Sequence, residues 1–468
     1  MVSLLLSFSL VYVYIRHIIT DDSLFLMRYR KVTSSTAEPE SPGRSMNRKF
    51  LRRKMKGTWV KDSHFYYKHF PVQTQIRDCV RLVKASHYNE TTKRWKCITA
   101  KPHSAVRLIS SLWSLLNTIL QRSDIPSCRR MFVKPKTMEA SCELLPPPDI
   151  ILAGAGPALV ANLSGSPIGE YSSGLVPIQV MLESEYRSTK RHLSAVHANE
   201  IFQQQDNRRY IYALILTESY MRTFMFDPAG GVIAPRLDYH TRAAEFCAVV
   251  TGIASLDEVR VGFDTSFVLD DQFKPRIWTM ESDPGGPPRS VSYRVKSRLF
   301  KAKKFVSRAT GCWLVDSVDE PQRTYVIKDA WTARSDTQND TEGSLIAHAN
   351  NKGVVCGLVR IHHEARILVP GRSEDTVVKN RRIRSGAYTD DMNFVQDRVH
   401  TRIVMHTYGK PIWEFSSRQE LMLAFHDAVN GKYFHHWQTT KTYIFHKLIV
   451  ICIRWLIYYI GMLASAIF

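Results

Sequence analysis

The sequence predicts an α+β protein made of two successive units, each mixing strands with helices. Three observations carry this. β-Branched and apolar runs of strand length, such as VPIQVML and RRYIYALILTES, alternate with helical stretches at 188–205 and 241–255. No clear parallel strand–helix–strand repeat organises them, which argues against a doubly wound α/β sheet. The 468 residues, 44% hydrophobic and 11% aromatic, are enough for two or three folded cores.

Taken in order, residues 1–30 are an apolar leader. Its first 15 positions are short for a bilayer span and carry neither a basic n-region nor a small-residue cleavage site. Residues 31–61 read as a disordered linker: TSSTAEPESPGRS, then a block of Arg48, Lys49, Arg52, Arg53, Lys54, Lys56 and Lys61. An accessory α+β region is expected over 62–290. It starts with helices, of which AVRLISSLWSLLNTIL (105–120) is the clearest, and ELLPPPDI (143–150) stops them because prolines cannot continue a helix. DIILAGAGPALVAN (149–162) reads as a strand and a glycine turn. It is not a dinucleotide fingerprint, since Leu159 stands where the third glycine belongs and Pro157 sits in the turn. Strands around a DPAGG turn follow to residue 239, then the helix TRAAEFCAVVTGIAS.

The second unit is expected over 291–433, as an antiparallel sheet plus helix. It runs through VSRATGCWLVDS, RTYVIKDAW, GSLIAHANNKGVV and TRIVMHTYGKPIWEF to the helical SSRQELMLAFHDAVNGKY. Residues 434–468 form an apolar tail, in which 448–468 spans 21 positions with Arg454 as its only charge. A C-terminal apolar helix of that length can cross a bilayer, with Lys441 and Lys447 on the inner flank. Arg454 would have to snorkel.

Composition narrows the function. The eight cysteines are scattered, without a CxxC pair, which argues against structural zinc and a disulfide framework and points to a reducing, intracellular setting. A net charge of +21 favours anionic ligands. The basic blocks at 48–61 and at Lys379, Arg381, Arg382 and Arg384 read as solvated loops, and neither interleaves aromatics as a nucleic-acid module would. Nucleic acid is therefore not the expected partner. No protein partner is indicated.

The apolar strand Tyr325-Val326-Ile327 delivers Lys328, and a lysine there needs a reason. Its stem can lie on the sheet with the ammonium in water, or the charge can be held for a negative partner. The neighbours favour the second. SRATGCWLV is a small-residue turn entering a strand, Glu342 opens a short helix 14 residues after Lys328, and RIVM runs into the glycine-containing connector HTYGKPI. A phosphate-covering hairpin, a strand lysine, a helix glutamate and a hinge are, in this order, the parts of a protein-kinase N-lobe.

The chain resembles the fungal-type protein kinase family. The likeness lies in SRATGCW, VIKDAW, EGSLIAHANNKGVV, HTRIVMHTYGKPIWEF and ELMLAFHDAVNGKY, and in RRYIYALILTESYMRTFMFDPAGGVIAPRLDYH and VGFDTSF before them, over about residues 149–433. The resemblance implies a kinase-like N-lobe preceded by the accessory region, and ATP as ligand. It makes Lys328 the phosphate-binding lysine and Glu342 its partner, the pair that would serve catalysis. Residues 307–311 take the place of the glycine-rich loop, with Ser307 at the first glycine and Ala309 within it. Met405 would guard the back of the adenine pocket, with backbone groups of His406 and Tyr408 facing the base.

The pattern also departs from the family. Serine at 307 has a Cβ and costs the loop freedom to close over phosphates. Gln179 and Met181 stand where an acid and a lysine are often found, which removes support for a metal-dependent nuclease role. After Gly431 no catalytic-loop HRD and no magnesium-binding D-x-G appears, and Asp427 is the last carboxylate. The expectation is a kinase-family chain that binds ATP weakly or not at all, has no magnesium site and does not transfer phosphate. The alternative is a non-catalytic kinase-like binding module held at a membrane through 448–468.

Overall fold

The computed structural model describes residues 55, 58–126, 129–135, 146–159, 170–187, 191–270, 274–281, 287–334, 341–351, 359–382, 397–406, 416, 417, 419, 420 and 423. Two sheets organise them. The first sheet holds β1 (Trp59–Lys61), β4 (Arg130–Val133), β5 (Ile150–Gly154), β6 (Gly174–Val180), β7 (Ile211–Leu216), β8 (Tyr220–Asp227), β9 (Gly230–Ile233) and β10 (Leu237–Asp238). Its order is β1-β9-β8-β7-β6-β5-β4, with β10 on β8. The pairs β1/β9 and β6/β7 are parallel and the others antiparallel. A small ribbon pairs β2 (Tyr88–Asn89) with β3 (Arg94–Trp95).

Both faces of the first sheet are covered, which is why IYALIL is buried at every position. On one face α1 (Phe65–His69), α2 (Thr74–His87), α3 (Ala105–Gln121) and α5 (Ala243–Ile253) pack through Phe65, Val83, Leu112, Leu116 and Phe246 onto Leu152, Ile178 and Leu214. The α3 stripe Leu108, Leu112, Leu115 and Ile119 has the period the sequence shows. On the other face α4 (Arg191–Gln204) sets Ala198, Ile201 and Phe202 against Ile211, Ala213 and Phe226.

The second sheet is antiparallel throughout, in the order β11-β12-β13-β14-β15-β17-β16. Its strands are β11 (Phe267–Leu269), β12 (Pro275–Glu281), β13 (Arg289–Lys301), β14 (Gly311–Ser317), β15 (Thr324–Ala333), β16 (Ile361–Arg366) and β17 (Arg398–Met405). α6 (Glu342–Asn351) and the short α7 (Val377–Asn380) accompany it. The sheet curls: His363 Nε2 lies 2.9 Å from the Met280 carbonyl and His362 Nε2 3.3 Å from Glu281, so β16 meets β12. Bulges in β13 between Val295 and Ser297 and between Arg298 and Phe300 supply the bend. Inside the curl lie Ile277, Tyr293, Trp313, Tyr325, Ile327 and Val404. The opposite face carries Val326, Ile403 and Met405, with Leu314, Val359 and Ile361 against them.

The mixed α+β class holds. The boundary expected at 291 falls inside β13, and the sheet reaches back to Phe267. The inward positions of β12 are Ile277, Thr279 and Glu281, and the two polar residues mask its alternation. The linker expected over 31–61 ends in a strand, because Trp59–Lys61 pairs with Gly231–Ile233. Arg381 is no solvated loop residue. It is 3% exposed and its guanidinium donates to both Asp227 oxygens at 2.6 and 2.8 Å. Among the described residues no helix is long and apolar enough to cross a membrane. The tail 434–468 and most of the helical run at 416–433 lie outside them.

Candidate functional site

β15 alternates, and the alternation separates two chemistries. Ile327 and Asp329 face one side, Val326 and Lys328 the other. The ladder aligns Cys312 and Ile403 with Lys328, and Leu314 and Met405 with Val326. An apolar surface of Leu314, Val326, Ile403 and Met405 therefore leads directly to one ammonium group. The Cys312 thiol beside it is pushed up to about 11 by burial, which Lys328 only partly offsets.

Lys328 Nζ donates to both Glu342 oxygens, at 2.6 and 2.7 Å. Each side chain is 17% exposed, so the pair is sheltered but reachable. Glu342 is the first residue of α6, where the helix dipole favours an anion. Thr341 fixes this helix start: its hydroxyl accepts the Ser344 N–H at 3.0 Å and donates to Glu364 Oε2 at 2.7 Å. The structure thus brings Lys328 and Glu342 together.

The loop between β13 and β14 is tied down at several points. The Ala302 N–H donates to the Thr310 carbonyl at 2.8 Å and closes its neck. Ser307 Oγ donates to the Lys304 carbonyl at 2.7 Å and accepts the Ala309 N–H at 3.0 Å. Ala309, at φ +44°, is the residue in the left-handed region. Ser307 therefore organises the turn, where the sequence reading gave it only a steric cost. The Trp331 N–H donates to the Arg308 carbonyl at 2.7 Å, and Arg308 Nη2 stands 3.8 Å from Glu342 Oε2. The first sheet's elements hold the other end. Phe305 is 1% exposed and stacks on Phe202, and Gln203 Nε2 donates to the Ala302 carbonyl at 3.0 Å.

Asp206 collects three donors from the second sheet: Lys301 at 2.7 Å, Arg298 at 3.0 Å and Trp313 Nε1 at 3.3 Å. Burial would raise its carboxyl, but Lys301 and Arg298 outweigh it and hold the pKa below the ordinary 3.8. Sequence reasoning missed Arg308, Phe305 and Asp206. Arg308 stands within the motif SRATGCW, which was the available signal.

Met405 ends β17 at 9% exposure, at the edge of the apolar surface. The His406 N–H donates to the Arg360 carbonyl at 2.9 Å, so this backbone donor is already engaged. Tyr408 lies outside the described residues.

On the opposite face Asp264, Asp329 and His400 bring one ligand atom each within 4.8 Å of one another, a spacing a cation could use. Arg402 already supplies the positive charge there. It grips Asp329 through two 2.7 Å hydrogen bonds and approaches Asp264 at 3.5 Å. A cavity of about 40 Å³ adjoins this cluster, bordered also by Asp206 and Asn207. It is room for about one water. Around Lys328, Glu342 is hydrogen-bonded by Lys328 with Arg308 3.8 Å away, and Glu364 accepts from Thr341. Among the described residues the cluster with metal-ligand spacing is Asp264, Asp329 and His400, on the other face from Lys328.

A protein-family model described as fungal protein kinase matches residues 171–449, more than half of the chain. The chain belongs to the fungal protein kinase family. No curated protein and no solved structure matches it. The family match takes in both sheets from β6 onward, so in this fungal protein kinase chain the first sheet is largely part of the family unit and not an appendage to it. It also takes in the tied loop, Lys328, Glu342 and Met405.

Proposed function

We propose that the curled sheet and α6 form the nucleotide-binding N-lobe of this kinase-like chain, with ATP as ligand. Lys328 holds the α- and β-phosphates and Glu342 orients it. Leu314, Val326 and Met405 receive the adenine, with the His406 carbonyl at its edge. The backbone of Ser307 and Ala309 covers the phosphates. One observation supports this above the others: the Lys328–Glu342 ion pair at 2.6 Å joins a strand to a helix start beside a buried apolar surface.

Phosphoryl transfer needs a base for the substrate hydroxyl and carboxylates for magnesium. No carboxylate stands between Asp427 and Phe468, the stretch where the family's catalytic-loop aspartate is expected, and on that ground we read these 468 residues as binding nucleotide without transferring phosphate. Thermal unfolding with ATP tests the binding. A modest stabilisation that vanishes in Lys328→Ala is expected, and a shift indifferent to that change would place the nucleotide elsewhere. Labelled ATP offered with magnesium and a generic protein substrate should leave no label; transfer lost in Lys328→Met would refute the non-transferring part.

A second reading adds a membrane. Residues 448–468 hold one charge in 21 positions, and such a run is stable only in a bilayer or against a partner. Carbonate extraction of membranes from cells expressing the chain with and without 448–468 decides it. Full-length protein found wholly soluble would exclude the anchor.

A further inference from the structure

We propose that Arg308 is a second phosphate-binding cation, acting with Lys328 as a clamp that takes a polyphosphate without a divalent metal. The inference rests on the nucleotide reading for its location and on separate observations for its chemistry. Two cations converge on one carboxylate. Glu342 is held by Lys328 through both oxygens, at 2.6 and 2.7 Å, and Arg308 Nη2 stands 3.8 Å from Oε2. The second contact is too long for a hydrogen bond, so the guanidinium is poised beside the pair and not consumed by it. Arg308 is also the more open partner, at 45% side-chain exposure against 17% for Lys328.

Its backbone, by contrast, is fixed. The Trp331 N–H holds the Arg308 carbonyl, Ser307 Oγ sets the next peptide through the Ala309 N–H, and the buried Phe305 anchors the approach. A fixed backbone with a free head group is the arrangement that lowers the ordering cost of binding. The guanidinium fork suits phosphate oxygens better than an ammonium does. Together the two cations offset part of the phosphate charge that a divalent metal would otherwise meet. On binding, Arg308 leaves the Glu342 side and donates to phosphate oxygens, while Glu342 keeps Lys328 in place.

The experiment is calorimetric titration of the full chain with inorganic tripolyphosphate, ATP and adenosine in EDTA at low salt, with ATP repeated in magnesium. Wild type should bind tripolyphosphate and ATP in EDTA. Arg308→Gln should weaken both about tenfold or more, the scale of a lost charged hydrogen bond, and leave adenosine unchanged. Arg308→Lys should recover part of the loss. The unfolding temperature of each variant shows that the fold is kept. Tripolyphosphate and ATP affinities in Arg308→Gln within twofold of wild type would overturn the proposal. So would binding that appears only with magnesium. ATP binding in magnesium that needs Lys328 but ignores Arg308 would keep the nucleotide site and remove the clamp. Arg308-dependent tripolyphosphate binding with no adenosine binding, and ATP no tighter than tripolyphosphate, would keep the clamp and remove the nucleotide. No binding of either ligand removes both.

Discussion

Phe305 stacks on Phe202 with ring centroids 5.1 Å apart and planes 11° apart, which seats the loop ahead of β14 in the core beneath the first sheet. The loop between β13 and β14 is thus moored to elements of the first sheet. Its position is set by α4 and by Asp206 as much as by its own hairpin.

Phe305→Ala should release this mooring. Loss of a buried phenylalanine costs about 3–5 kcal/mol. The urea midpoint should fall, and hydrogen exchange should accelerate first in 302–310. Faster exchange confined to other segments would mean that the stack does not hold the loop. Phe305→Leu keeps most of the volume and should cost less than about 1.5 kcal/mol.

Glu342→Gln addresses orientation without removing volume. The ion pair is sheltered yet reachable, so its contribution to stability is small, about 1 kcal/mol or less. ATP affinity should nevertheless fall, because Lys328 loses the carboxylate that aims it. A variant that loses several degrees of unfolding temperature but keeps its ATP affinity would make the pair structural.

The site was legible in the sequence where its logic is local. Lys328 stands at a fixed place on a strand and Glu342 at a helix start, so order and spacing reach both, while Met405 at a strand end was reached only through the family resemblance. Arg381 was not legible, because its partner Asp227 is 154 positions away and a basic run looks the same whether solvated or buried. The same holds for Asp206, which gathers charges from residues more than 90 positions on. β12 was hidden by polar residues facing inward, above all Glu281, which Tyr293 satisfies through a 2.6 Å hydrogen bond.

Asp227 and Arg381 join the first sheet to the segment between β16 and β17. Removing one partner leaves a buried charge uncompensated, which costs about 3–5 kcal/mol. Asp227→Ala should therefore lower stability by that amount in urea unfolding. The pair Asp227→Leu with Arg381→Met should recover most of it, since two apolar groups need no compensation. A double variant no better than the single one would show that shape, not charge, dominates there.

The last prediction concerns pH. His400 is buried, stacked on Trp331 at 4.6 Å, with Nδ1 3.4 Å from Asp375 and Nε2 3.8 Å from Asp329. Burial opposes its protonation, but the close Asp375 carboxylate and the charges of Asp329 and Asp264 prevail and raise its pKa above 6.5. Arg402 and Arg209 answer the same carboxylates, so two guanidinium groups face three acids and protonated His400 completes the balance. A raised pKa contributes stability that is fully present below 6.5 and is lost as pH rises through the folded value. His69 has the opposite sign. Burial, with Arg382 adding to it, lowers its pKa to about 3, so its contribution is present above 6.5 and is lost as pH falls toward 3. Stability should therefore peak near the ordinary histidine range and decline on both sides. Urea unfolding across pH 4–9 checks the shape, and the variants separate the limbs, with roughly 1.4 kcal/mol for each unit of pKa difference between folded and unfolded states. His400→Gln should flatten the alkaline decline and leave the acid one. If the alkaline limb persists unchanged in that variant, another group carries it and His400 is not its source.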